Sequence, residues 1–281
     1  MSKLEMKDIQ NTVKDYDYKI NKVGVNNIRF PINVQTMEGN LVTTVASFDM
    51  AVSLSRYLKG INMSRLPLLL EELSGHGWVP DELQDVLGLM AQKLECNDAY
   101  IDMSFDYFIK KKAPLTEYEG TMPYKCRFEA SLNEINENSC GRYDFILTVE
   151  IPVTTLCPCS KEISDHSAHN QRGYVKVSLR YNQMVWIEEI IQMVEAVSSC
   201  EIYPVLKRAD EKYVTEKAYA NPRFVEDMVR LAAQKLDADE RITWFKVSSR
   251  HQESIHPHDA YAVFEKCKCD KTNKQRMREI R

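Results

Sequence analysis

Two cysteines and two histidines fall in one short stretch, LCPCSKEISDHSAHNQRG, from Leu156 to Gly173. Cys157 and Cys159 flank Pro158, and His166 and His169 follow a run of acids and bases. The chain has eight cysteines and six histidines, so the window concentrates both types. Thiolate sulfur and imidazole nitrogen on a flexible connector suit a borderline ion such as zinc. A catalytic site adds a third protein ligand and keeps a position open for water. The bland alternative is two buried thiols and two surface histidines, because cysteine is among the most buried residue types. Clustering in a polar loop favours the metal.

A second stretch, LKRADEKYVTEKAYANPRFVED from Leu206 to Asp227, is dense in charge. Asp210, Glu211, Glu216, Glu226 and Asp227 are set among Lys207, Arg208, Lys212, Lys217 and Arg223. One reading takes a carboxylate from here to complete the metal site and uses the basic side chains on phosphates. The other takes a solvated linker between two helices. Glu226 falls in the first turn of an expected helix, where a carboxylate gains about 0.3–1 kcal/mol from the helix dipole. It can also accept the adjacent N–H donors of a guanine-like edge. A third stretch, SSRHQESIHPHDAY from Ser248 to Tyr261, brings His251, His256 and His258 to an expected turn between strands. Histidine suits general acid or base work near neutral pH, although a turn with exposed histidines has the same pattern. Cys267 and Cys269 make a second Cys-x-Cys. A four-cysteine zinc site with Cys157 and Cys159 is the lesser reading, because no C-x-x-C spacing supports it. Ser64 and Arg65, in KGINMSRLPL, open an expected helix, a sensible place for an anion.

The elements that must position these residues follow from periodicity. Alternation of apolar and polar residues predicts strands at about 18–34, 41–54, 101–107 and 124–132. Helical spacing predicts helices at 64–73 and 79–94 between the second and third strands. The same order then returns. Strands at 143–151 and 175–181 bracket the Cys/His loop, helices follow at 186–199 and 221–237, and strands at 242–250 and 260–267 close the series. In the last helix Asn221 is the expected N-cap and Pro222 the first helical residue. The chain thus reads as α+β, with two tandem ββααββ modules, each an antiparallel sheet with a helix pair on one face. Expected boundaries are a flexible arm over 1–16, modules at 17–135 and 136–270, and a charged tail over 271–281. The polar segment 133–141 marks the junction.

Composition narrows the functional classes. A net charge of −4 argues against a nucleic-acid partner. No apolar run approaches the ~18 residues of a membrane span. The polar start lacks the apolar core of a signal peptide, so a cytoplasmic protein with reduced thiols is expected.

The motifs LCPCSKEIS…AHNQRG, KGINMSRL, LKRADEKYVTEKAYANPRFVED and SRHQESIHPHDAYA together resemble GTP cyclohydrolase I of type B, the prokaryotic form. The resemblance runs from about Val25 to Cys267. It implies the tunnelling fold, two ββααββ modules per subunit, and a homotetramer with active sites at subunit interfaces. It implies conversion of GTP and water to dihydroneopterin triphosphate and formate, the entry to folate-type pterins. Carried over by position, Cys157, His169 and Glu211 bind a divalent metal (zinc, manganese or iron), with Cys159 beside it. Glu226 anchors the guanine, and His256 and His258 serve proton transfers. Arg65, Lys207 and Arg208 are candidate triphosphate contacts, and His166 is a bystander. Two rivals remain. One is a deazaguanine nitrile reductase of the same fold, with Cys157 as nucleophile and NADPH as reductant. The other is a non-catalytic domain stabilised by zinc.

Overall fold

The computed structural model describes residue 10 and residues 12–75, 77–135 and 141–268. The strands are β1 (Ile20–Gln35), β2 (Leu41–Leu54), β3 (Gly77–Trp78), β4 (Ala99–Lys112), β5 (Glu119–Asn133), β6 (Arg142–Leu156), β7 (Asn170–Tyr181), β8 (Cys200–Glu201), β9 (Ile242–His251) and β10 (Ala260–Cys267). The helices are α1 (Arg65–Glu72), α2 (Leu83–Leu94), α3 (Pro158–Ile163), α4 (Ile187–Glu195), α5 (Arg208–Ala220) and α6 (Val225–Ala238). Two compact units form. One takes residues up to 35, 41–105 and 127–146; the other takes 36–40, 106–126 and 147 onward. Most of the expected junction, 136–140, lies outside the described residues, as do Cys269 and the charged tail.

In the first unit β2 lies between β1 and β4, and β1 carries the short β3 on its other side. The pairings of β2 with β1 and β4 are antiparallel; β3 joins parallel. Phe48, Met50 and Val52 of β2 are buried, as their alternation requires. α1 buries Leu66, Leu69 and Leu70, and α2 buries Leu83, Val86, Leu87, Met90, Ala91 and Leu94. Opposite Asp49 the ladder skips: Val25 pairs with Met50 and Ile28 with Phe48, leaving Asn26 and Asn27 bulged. Asn27 adopts φ 58° there, and its amide donates to Asp49 Oδ1 at 2.8 Å.

In the second unit the order is β10-β9-β7-β6, with β8 on β6, and every pairing is antiparallel. β7 alternates so that Val175, Val177 and Leu179 are buried. α4 covers the core with Ile187, Ile190, Ile191 and Val194, and α6 with Val225, Met228, Val229, Ala232, Ala233 and Leu236. This α+β architecture, antiparallel sheet with helices on one face, is the tunnelling fold.

Three local expectations are corrected. The helix expected from Asn221 begins at Val225, with Phe224 as its N-cap. Asn221 instead ends α5, and the Arg223 amide donates to Leu156 O at 2.9 Å, which holds the chain extended before α6 starts. α4 stops at Glu195 rather than 199, where the Ser198 hydroxyl bonds back to Glu195 O at 2.8 Å. α5 was not expected as a helix. Its cause is Asp210, fully buried, which accepts from the amides of Lys207, Leu115 and Thr116 and from the Thr116 hydroxyl.

Candidate metal and base-binding site

The end of β6 delivers Cys157 to the start of α3. Cys157 is the N-cap of that helix, and Pro158 opens it, because a proline loses no helical hydrogen bond in the first turn. The Cys157 Sγ accepts from the Ser160 amide at 3.5 Å, and its own amide donates to His169 O at 3.1 Å. Those bonds close the loop and bring Cys157 and His169 together across the helix. The Ser160 hydroxyl donates to Cys157 O at 3.1 Å and accepts the His169 amide at 3.2 Å. Cys159 lies inside α3 and is exposed, as is His166.

The His169 ring is held through Nδ1. Its Nδ1 is 3.0 Å from Gln171 Oε1 and 3.3 Å from the Ser254 hydroxyl. An Nδ1–H donated to the Gln171 carbonyl oxygen leaves the Nε2 lone pair as the donor, the orientation that outer partners impose on metal-binding histidines. Ser254 belongs to the loop between β9 and β10, whose base is closed by Arg250 and Asp259 at 2.6 Å. In the same loop the rings of His256 and His258 stack 5.1 Å apart, 12° from parallel, and both are exposed.

Helix α5 reaches the loop by its C-terminal end. Lys161 of α3 donates to Tyr219 O at 2.6 Å and sits over the Tyr219 ring, near the C-terminus of α5. Glu226 stands exposed in the first turn of α6, beside Asp227, whose carboxylate accepts the Phe224 amide at 2.9 Å. Both carboxylates are favourably placed against the helix dipole.

A family model described as type I GTP cyclohydrolase FolE2 matches residues 6–262. The chain belongs to that family. A GTP cyclohydrolase FolE2 of Syntrophobacter fumaroxidans is 44% identical over 94% of the chain and 100% of its own length. That of Magnetococcus marinus is 46% identical over 93% of the chain and 96% of its own. Among solved structures, a urate oxidase of Bacillus sp. TB-90 superposes with a TM-score of 0.55 at 10% identity, covering 88% of the chain and 99% of the enzyme. At that identity the likeness is one of fold.

Within this FolE2 chain the expected ligands do not all meet. Among the described residues, no three His, Cys, Asp or Glu side chains converge as a metal site. Glu211 is exposed in the first turn of α5, eight residues before Tyr219. That is about 12 Å of helix from the end that touches the loop. Cys157 and His169 therefore fit a borderline ion as a pair, and Glu211 does not join them in one chain. Lys207 and Arg208 mark the start of α5, with the Lys207 ammonium over the Tyr118 ring at 4.9 Å. Arg65 begins α1 in the first unit and donates to Lys93 O at 2.5 Å.

A buried polar layer joins His251, expected at a turn, to Thr155, Gln171 and Ser249, which the sequence pattern does not single out. Thr155, Gln171, Ser249 and His251 all point inward at the ends of β6, β7 and β9. Thr155 pairs with Gln171 and Gly173 with His251 in the ladders. The available signal was the break in apolar alternation along β9, where Phe245 and Val247 give way to Ser249 and His251.

Proposed function

We propose that the chain is a GTP cyclohydrolase I that converts GTP and water to dihydroneopterin triphosphate and formate in folate-type pterin biosynthesis. The reading draws support from family membership over nearly the whole chain. The observation that carries it is the His169 ring, engaged through Nδ1 and tied by backbone to Cys157. Those two residues hold a divalent ion, zinc, manganese or iron, and Glu211 is the third ligand. Such an ion supplies Lewis acidity and lowers the pKa of water near the base.

The remaining roles belong to the chain's own groups. Glu226 accepts from the guanine edge and orients the purine. His256 and His258 move protons as the imidazole ring opens, the formyl group leaves and the ribose rearranges. Cys159 sits beside the ion, and Lys207, Arg208 and Arg65 neutralise the triphosphate. Because Glu211 lies eight residues along α5 from Tyr219, the residue that Lys161 touches, we assign its contribution to a site completed by a second copy, within a cytoplasmic homotetramer.

The test uses C157S and H169Q. Formate release from GTP is expected to fall more than about 100-fold, with co-purified metal lost and thermal unfolding little changed. Unfolded variants support a structural zinc domain instead. Full activity after chelation supports neither metal catalysis nor this assignment, and NADPH-dependent nitrile reduction selects the thiol-nucleophile rival. Mixed C157S and E211Q subunits that regain activity support a shared site.

A further inference from the structure

We propose that His251 is a positioning residue for Glu226: its Nε2–H is the buried donor that holds the base-binding carboxylate when a guanine edge is seated. The proposal rests on the reading of Glu226 as the base anchor.

His251 ends β9 on the face covered by α6 and is 1% exposed. Its Nδ1 lies 3.4 Å from the Thr155 hydroxyl, itself fully buried. On the neighbouring strand the residue opposite is Gly173, and a Cβ there would come within 3.2 Å of His251 Cδ2. The absent side chain leaves the imidazole room beside β7. The other ring nitrogen, Nε2, is sealed from water and has no hydrogen-bond partner. Buried polar nitrogens are rarely left so, and each such case calls for a cause.

Glu226 supplies one. It stands in the first turn of α6, which packs on β9. Its carboxylate is the charge that acts on the His251 ring, favouring protonation against the stronger opposing effect of burial. Burial prevails, and the imidazole is pushed down to about 4, so it stays neutral near pH 7. A neutral ring carries one proton. The Thr155 contact at Nδ1 admits either role; we assign the hydroxyl as its donor, which puts that proton on Nε2 and makes it a donor. A carboxylate reading a guanine edge must present both oxygens in the plane of two N–H groups. An exposed glutamate at a helix start has several rotamers, and a donor from behind selects one. Seating the base displaces water from the carboxylate and lets it take the Nε2–H donor.

Steady-state formate release by the metal-loaded enzyme tests this with H251F, H251Q, E226Q and H251F/E226Q. H251F is expected to raise KM for GTP about tenfold while kcat stays within about threefold. H251Q, whose amide can donate, recovers most of the loss. In the E226Q background H251F adds nothing further. Independent, multiplying effects of H251F and E226Q overturn the proposal, as does a loss confined to kcat. An unchanged KM in E226Q removes the base-anchor reading itself, which separates the two failures. Should H251F not fold, nitrogen NMR of 15N-histidine wild-type protein decides: a neutral Nε2–H ring whose shift moves in E226Q supports the proposal, and an Nδ1–H ring refutes it.

Discussion

Replacing Lys111 by methionine isolates the ionic contact that fastens α4 to the sheet of the second unit. The Lys111 ammonium is 2.6 Å from Glu195 Oε1, and the two side chains are only 14% and 11% exposed. Tyr124 donates its hydroxyl to the same oxygen at 2.9 Å. Burial raises the Glu195 carboxyl above its ordinary range, and Lys111 pulls it back down. Removing the ammonium keeps the desolvation and deletes the compensation. A buried pair broken on one side costs about 3–5 kcal/mol. At roughly 2–4 °C per kcal/mol for a chain of this size class, K111M should melt about 6–20 °C below wild type at pH 7. The sign with pH follows from the raised carboxyl. A folded-state pKa above the unfolded one gives stability that is complete below the unfolded value and lost as pH rises through the folded one. The deficit of K111M should therefore shrink on acidification toward pH 4.5, measured by circular dichroism melts at matched concentration. K111M/E195Q removes the stranded charge and should recover most of the loss. A K111M deficit under about 1 kcal/mol, or a double variant no better than the single, refutes the reasoning.

Two further outcomes follow from other sites. The depressed His251 imidazole gives stability that is present above the unfolded value of about 6.5 and is lost as pH falls toward 4, about 3 kcal/mol in all. H251Q should lack that increment when urea unfolding at pH 7 and pH 4 is compared with wild type; equal acid sensitivity of the two refutes it. At Gly24 a Cβ would fall 1.9 Å from Met50 O, which is backbone and cannot step aside. G24A should lose more than about 3 kcal/mol, at or beyond the upper range for overpacking, and a wild-type melting temperature would contradict the close approach.

Much of this fold is legible in the chain because burial writes it there. β7 and β9 alternate with period two, and α2 shows its apolar stripe at 83, 86, 87, 90 and 94. The Cys/His loop is legible by residue type alone. α5 is not, because it has no comparable stripe and buries only Asp210 and Ala218. Its start is fixed by a carboxylate reaching Leu115 and Thr116, more than ninety residues earlier, a contact that local pattern cannot carry. The start of α6 was misplaced for a related reason: Asn221 is a good N-cap by type, but Arg223 is claimed by the end of β6. His251 was read as one of three histidines near a turn, whereas burial separates it from the exposed His256 and His258. Glu211 opens α5, eight residues from Tyr219, so no local pattern tells which copy's site it completes.

The grip on His169 has a thermodynamic consequence. Its Nδ1 lies 3.3 Å from the Ser254 hydroxyl, so the ring also tethers the segment bearing His256 and His258. Fixing the ring by ligation lowers the entropy left to that segment, and ordering the segment in turn pre-sets the ring. The two events share one coupling free energy and strengthen each other equally. On the proposed roles, ion uptake at His169 and the ordering of the segment that carries His256 and His258 would be a single equilibrium, read from either end.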